Sequence, residues 1–323
     1  MIGSHAIDDA MGAAPRARPY SFDKGNSMRD VAGKTAFITG GGSGIGFGMA
    51  KAFTAAGMNV VIADLRQDHL DAAIGALKGA KIHSVRIDVS DRSAMARAAD
   101  ETERVFGKVH VVCNNAGVNL FADIGTASYD DWDWILGVNL GGVVNGVQTF
   151  LPRIKAHGEG GHVVNTASMA SFIAGHRAGI YSASKFAVRG LSEALRCSLR
   201  PHRIGVSVLC PGLVNSSIFE SGKIRPAHLS TEATAEDPEF LARIAEVSKV
   251  GMAPEEVGEK VLRAIQRNDF YIFSHPEFKE ELRGIFDEAL SALPDEPVPP
   301  ARLAFENGRR AMAAKERADW PPL

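Results

Sequence analysis

The sequence predicts an α/β fold, a doubly wound parallel sheet with helices on both faces. Three observations carry this. From residue 34 onward, short β-rich runs alternate with longer runs of helical composition. The β-rich runs are apolar at consecutive positions, as in strands buried on both faces. A glycine cluster, Gly40 to Gly46, stands between the first strand and the first helix, a turn this fold class places at the carboxyl edge of its sheet.

Thr35 to Thr39 reads as the first strand. After the glycine turn, Phe47 to Ala56 is a helix whose small and apolar residues suit close packing on a sheet. Val60 to Ala63 is the second strand and Gln67 to Leu77 the next helix; Val85 to Ile87, Ser93 to Phe106 and Val109 to Cys113 repeat the alternation. Right-handed βαβ crossovers make the arrangement doubly wound. Tyr129 to Ile154 and Ile180 to Leu199 read as long helices, each followed by a strand, His162 to Asn165 and Gly205 to Leu209. Asn215 to Val250 mixes charged and apolar residues without a strand pattern. A helix over Pro254 to Arg267 and a strand over Phe270 to Phe273 close the sheet, and a helix follows over Glu277 to Ala292. Leu293 to Pro300 is Pro-rich and expected to be extended. Ala301 to Asp319 has the pattern of an amphipathic tail helix. The expected organisation is a disordered leader over residues 1–27, with Met28 an alternative start; one domain over 28–292, with 215–250 as a lid; and a tail over 293–323.

Composition narrows the function. The 323 residues are 45% hydrophobic and 23% charged, ordinary values for a chain that buries a full core. A net charge of −2 argues against nucleic-acid or anionic-membrane partners, which call for a clustered basic excess. Cys113, Cys197 and Cys210 are too few and too scattered for a disulfide framework or a zinc site; Cys113 reads as a small core residue. His157 and His162 flank a Gly-rich turn without the helical carboxylate–histidine pattern of a metal site, and read as solvated loop histidines. No metal is expected. No apolar stretch approaches the ~20 residues that span a bilayer. No cationic start followed by an apolar segment marks a secretory signal. A soluble cytoplasmic protein is the expectation.

Thr39-Gly40-Gly41-Gly42-Ser43-Gly44-Ile45-Gly46 follows a strand and opens a helix. Glycines there permit a tight turn, bring backbone close to a pyrophosphate and aim helix N-terminal amides at its charge. Gly40, Ser43, Gly44, Ile45 and Gly46 are thus candidate cofactor contacts. Such a cluster alone also occurs for steric reasons; the strand–turn–helix context raises it. Asp64, at the end of the second strand, is placed to accept hydrogen bonds from an adenosine ribose and to repel a 2′-phosphate, which favours NAD over NADP. Arg66 competes, since a guanidinium there is able to hold the phosphate.

The glycine motif, then Asn114-Asn115-Ala116-Gly117, Asn139, Ser168, Tyr181-Ser182-Ala183-Ser184-Lys185 and Pro211-Gly212, together resemble the short-chain dehydrogenase/reductase family. The likeness runs in order over residues 31 to 275. It implies a seven-stranded Rossmann-type sheet with a hydride-transfer site at its carboxyl edge. By the same resemblance, Asp88 and Val89 flank the adenine, and Asn115 and Val214 contact ribose and nicotinamide amide. Ser216 stands where the family often has Thr. Asn139 resembles the asparagine that holds a water behind the lysine. Homodimers or homotetramers through the helices of Asn139 and Tyr181 are implied as well.

The chemistry also stands on residue type. Tyr181 and Lys185, four residues apart, share one helix face. A free phenol has a pKa of ~10, too high for an efficient base near neutrality. A neighbouring ammonium and a cationic nicotinamide favour the phenolate. Tyr181 then takes the alcohol proton while Ser168 stabilises charge on the substrate oxygen. Each residue alone has a structural explanation: a core tyrosine, a surface lysine, turn-forming Ser and Asn.

Further segments, Ala116-Gly117-Val118-Asn119, Arg66-Gln67-Asp68-His69-Leu70 and Tyr129 through Leu140, are similar to the Cα-dehydrogenases of bacteria that degrade lignin-type β-aryl ethers. That likeness implies oxidation of a benzylic secondary alcohol to an aryl ketone; a hydroxysteroid or 3-hydroxyacyl substrate is the alternative, and a non-catalytic NAD-binding sensor or scaffold the alternative class. Phe121, Phe172 and Phe219 are the expected apolar substrate contacts, with Ile224, Leu229, Phe240 and Leu241 as further lid cover. Trp132 and Trp134 read as core or interface residues, with a place in the substrate wall open to them.

Overall fold

Seven parallel strands form a single sheet in the order β3-β2-β1-β4-β5-β6-β7. The computed structural model describes residues 28–318, so the expected leader lies outside the described residues. The strands are β1 (Thr35–Thr39), β2 (Asn59–Asp64), β3 (Ile82–Arg86), β4 (Val111–Asn114), β5 (Gly161–Thr166), β6 (Ile204–Cys210) and β7 (Tyr271–Phe273). Every residue of β1, β4, β5 and β6 is buried, which is why these strands read as unbroken apolar runs.

Helices α1 (Gly44–Ala55), α2 (Gln67–Ala76) and α3 (Arg92–Phe106) connect the first strands. Next come α4 (Tyr129–Leu136) and α5 (Gly142–His157), then α6 (Gly179–Leu199), α7 (Pro238–Ser248), α8 (Pro254–Arg267), α9 (Lys279–Ser291) and α10 (Pro300–Ala318). Alternate strand residues feed two cores. Ala36, Ile38, Val60 and Ile62 meet Met49 and Phe53 of α1 and Val257, Val261 and Ile265 of α8 on one face. Phe37, Val61 and Val112 meet Met95 of α3, Phe150 of α5 and Val188 of α6 on the other.

The first of these layers depends on close backbone approach. A Cβ on Gly48 would lie 2.0 Å from the Pro254 carbonyl oxygen, and one on Gly258 would lie 2.2 Å from that of Gly48. Helices α1 and α8 therefore touch through their backbones, which fixes the first turn of α1 against the sheet.

Three expectations need correcting. Tyr129–His157 runs as one continuous helical stretch, interrupted by a π-turn at Gly137–Gly141. By length and composition it suffices to cross a membrane, with mean hydropathy 1.2, but half of that window is buried inside the protein. Its apolar character belongs to a core helix whose apolar run is broken by Gly and Asn. His162 is not a solvated loop residue: it is buried in β5, its Nε2 lies 2.8 Å from Ser207 Oγ, and burial pushes its pKa down to about 3. His157 is half-buried with Nε2 2.9 Å from the Val109 carbonyl oxygen. Within 215–250 the absence of a strand is as expected, but α7 was not foreseen; Asp237 caps it, accepting from Glu239 N at 3.0 Å and Phe240 N at 3.2 Å.

Candidate active site

The carboxyl ends of the strands carry one continuous cleft. It starts at Asp64 and Asp88, passes the glycine turn, and reaches Tyr181 and Lys185. Beyond them it ends in an apolar region formed by Val118, Trp134, Val138, Ile218, Ile224 and Pro226.

Strand β1 delivers the turn. Gly40 has φ +62° and Gly44 φ +48°, conformations that side chains disfavour. A Cβ on Gly46 would lie 2.0 Å from the Gly40 carbonyl oxygen, so the turn closes only with glycine there; Gly46 stands behind the cleft, whereas Gly40, Ser43, Gly44 and Ile45 line it. Ser43 is the N-cap of α1, yet its hydroxyl makes no capping bond. A free hydroxyl beside the amides of a helix N-terminus fits a pyrophosphate.

Asp64 does two jobs at once. Its Oδ2 accepts from Gly42 N at 3.1 Å and its Oδ1 from Arg66 N at 3.1 Å. Arg66 caps α2 but turns its guanidinium onto Asp68, with Nε to Oδ1 at 3.1 Å and Nη2 to Oδ2 at 2.5 Å. The cation that would hold a 2′-phosphate is thus paired with a carboxylate. Asp88 lines the cleft, its Oδ1 accepting from Ser90 N at 2.8 Å and Ser90 Oγ at 2.7 Å, and Val89 follows it.

Asn115 lines the cleft with its side chain tied down on both sides. Its Nδ2 donates to the Thr39 carbonyl at 3.0 Å and its Oδ1 accepts from Thr166 Oγ1 at 3.2 Å. Thr39 Oγ1 in turn accepts from Asn115 N at 2.8 Å and Ala116 N at 3.0 Å. Val214 is buried in the core and bridges Met252 rather than lining the cleft; Ser216 and Ser217 line it instead.

The part of the cleft that holds Tyr181 and Lys185 is built on α6 and the strand β5 beside it. Tyr181 and Lys185 sit one turn apart, with Nζ 5.4 Å from the phenol ring centroid. Lys185 is 2% exposed and donates to the Thr166 carbonyl at 2.9 Å; burial lowers its pKa to about 8. Burial raises that of Tyr181, against a hydrogen bond with Ser168. Ser168 caps a short 3-10 turn, accepting from Ala170 N at 3.1 Å. Asn139 sits in the π-turn, where its Oδ1 accepts from Val118 N at 2.8 Å. Its Nδ2 donates to the Val118 carbonyl at 2.9 Å and Ser184 Oγ at 3.0 Å. The amide is fully used, and π-turns recur where a helix must re-aim such a side chain.

The apolar end matches the sequence expectation only in part, at Trp134 and Ile224. Phe121, Phe172 and Phe219 do not line the cleft. Phe172 turns toward β7 and packs with Tyr271, Phe273 and Phe286, under the Arg189 guanidinium. Phe121 pairs with Phe240 at 5.8 Å, and Phe219 is half-buried beside the cleft. Trp134 forms the wall instead, buried with Val118, Leu120, Ile135 and Ile180 while Ile224 and Leu229 pack onto this group. Thr39, Thr166 and Ser184 were also missed as positioning residues; nothing in their local pattern marks them, since their partners are distant in sequence.

A sequence model of the short chain dehydrogenase family matches residues 34–225. The C alpha-dehydrogenase of Sphingobium sp. strain SYK-6 is 42% identical over 290 residues, 89% of this chain and 93% of that protein. The solved structure of LigO from the same strain, in its apo form, aligns with TM-score 0.72 and 41% identity, over 91% of this chain and all of that one. A short chain dehydrogenase/reductase from Burkholderia phymatum in complex with NAD aligns with TM-score 0.78 and 35% identity, over 84% of this chain and 100% of that one. The family model spans more than half of the chain and a relative covered over most of its length is 42% identical, so the chain belongs to the short chain dehydrogenase family.

Proposed function

We propose that this protein is an NAD-dependent dehydrogenase that oxidises the benzylic secondary alcohol of a lignin-type β-aryl ether to a ketone. The observation that carries this reading is one cleft with a nucleotide end at Gly40–Ile45 and Asp64, the Tyr181–Lys185 pair in the middle, and an apolar end at Trp134, Ile224 and Pro226. An aryl group suits that last region by burial of apolar area.

NAD, when bound, supplies a hydride acceptor at nicotinamide C4. The residues of the chain handle the proton and the oxygen. Ser168 donates to the substrate oxygen, and Tyr181 Oη takes the hydroxyl proton as the C–H bond breaks. The Lys185 ammonium, 5.4 Å from the phenol ring centroid, would hold the nicotinamide ribose and, with the cationic nicotinamide, would favour the phenolate against the burial that raises the Tyr181 pKa. Asn139 fixes the loop of Val118 and the start of α6 through Ser184. Asp64 would receive the adenosine ribose, and Arg66, turned onto Asp68, would be drawn away from a 2′-phosphate. A cytoplasmic location and a homodimer or homotetramer complete the proposal.

NADH absorbance with a β-aryl ether benzylic alcohol, a hydroxysteroid, a 3-hydroxyacyl thioester and a small secondary alcohol tests it. The aryl ether is expected to give the highest kcat/KM. A higher value for a steroid or acyl thioester replaces the substrate assignment, and NAD binding without turnover of any alcohol would make the protein a sensor or scaffold.

A further inference from the structure

The segment 215–250 is fastened mainly to the N-terminal end of α4. Asp130 Oδ2 accepts from Thr231 N at 3.1 Å, Thr231 Oγ1 at 2.6 Å and Glu232 N at 3.2 Å. Asp131 Oδ1 accepts from Arg225 Nη1 at 2.5 Å, and its Oδ2 accepts from Thr234 Oγ1 at 2.6 Å and Ser128 N at 2.8 Å. Arg225 also donates Nε to the Leu229 carbonyl at 2.5 Å and lies 5.0 Å over the Trp134 ring. The Asp131 and Arg225 side chains are 0% and 7% exposed.

A buried ion pair is weak support for stability, because desolvation of both charges offsets their attraction. Here the pair is also unsaturated: Arg225 Nη2 is buried with no hydrogen-bond partner. Such a pair is better suited to fixing one arrangement of two elements than to holding the fold together. The elements it fixes are the two walls of the apolar end. Ile224 and Pro226, on either side of Arg225, line the cleft from above, and Trp134, one turn after Asp131, lines it from α4.

We infer that Asp131 and Arg225 are a positioning pair that sets the width of the substrate end of the cleft and so selects for bulky alcohols. This rests on the dehydrogenase reading given above. The pair touches neither the nucleotide end nor Tyr181, so its effect falls on substrate size and not on cofactor binding or the chemical step.

The test uses Arg225→Met and Asp131→Asn, in the full chain with saturating NAD, with Arg225→Lys as a second variant should either fail to fold. Limited thermolysin digestion reads the segment directly. Kinetics on the aryl ether alcohol and a small secondary alcohol read the cleft. Expected are faster cleavage within 226–236, a roughly tenfold higher KM for the aryl alcohol (about 1.4 kcal/mol), and kcat and KM for the small alcohol within about twofold of wild type, as for loss of binding shared by ground and transition states. Arg225→Lys, which keeps the charge, is expected to recover part of the aryl KM. Equal changes for both alcohols, or cleavage at the wild-type rate, overturn the inference. If the wild type oxidises no alcohol, the dehydrogenase reading fails while the digestion still decides whether the pair fastens the segment.

Discussion

Lys185 is buried with one hydrogen bond, from Nζ to the Thr166 carbonyl, and its pKa falls to about 8 through desolvation. In the unfolded chain a lysine titrates near ~10.4. Between those values the unfolded state binds more protons, so stability from this group rises with pH there; below about 8 both states are charged and the native state carries the desolvation cost. Lys185→Met is therefore expected to melt higher than wild type at pH 7, each kcal/mol amounting to about 2 °C or less for a chain of this size. The difference should close as pH rises through that window, and thermal melts across pH check it. A gap of the same size at every pH would mean that Lys185 is not the group responsible. Tyr181→Phe is expected to lower kcat by about 10²–10⁴ while NAD affinity is kept, since only the proton acceptor is lost; near-normal turnover removes Tyr181 from the mechanism. Asp64→Ala should weaken NAD and narrow the preference over NADP, read as the ratio of kcat/KM values. A native protein that already uses both cofactors would show that the Arg66–Asp68 pair opens to the phosphate.

At the scale of elements, the strands and most helices were legible because burial on both sheet faces leaves a simple mark, a continuous apolar run bounded by glycine or a helical period. The glycine turn was legible for the same reason: Gly40 and Gly44 act through backbone shape and Asp64 through its place at a strand end, and all three line the cleft. Helix α7 was legible in principle, since Asp237-Pro238 is an N-cap followed by Pro at the first turn, but the charged residues around it hid the period. The apolar wall of the cleft was legible only in part, through Trp134 and Ile224. Phe172 follows Ser168 by four residues, and the 3-10 turn Met169–Ser171 sends its ring to β7 instead of the cleft, a choice made by tertiary packing alone. Phe172→Ala is accordingly expected to destabilise the protein by about 3–5 kcal/mol through a cavity, and to leave KM for aryl and small alcohols equally unaffected. Denaturant unfolding with parallel kinetics decides this; a selective rise in the aryl KM would restore Phe172 to the substrate site.

For the whole molecule, the exposed aromatic side chains of the edge strand β7 and of α9, Tyr271, Phe273 and Phe286, are 41%, 42% and 51% exposed. An uncovered edge strand with aromatic neighbours is a surface that folded proteins usually bury against something. Light scattering is expected to give a dimer or tetramer at micromolar concentration, and a monomer there counts against the proposed assembly. The strand order has another outcome. It reverses direction once, between β3 and β4, so residues before Gly107 build one wing of the sheet and residues after it the other. Three register pairs, Ala36 with Val111, Phe37 with Val112 and Ile38 with Cys113, form the seam, reinforced where α1 meets α8. The glycine turn lies on one side of that seam and Tyr181 and Lys185 on the other. Cut in the exposed stretch at Gly107-Lys108, the gene would encode two pieces, neither holding a complete site, whose rejoining would be reported by the return of NAD reduction.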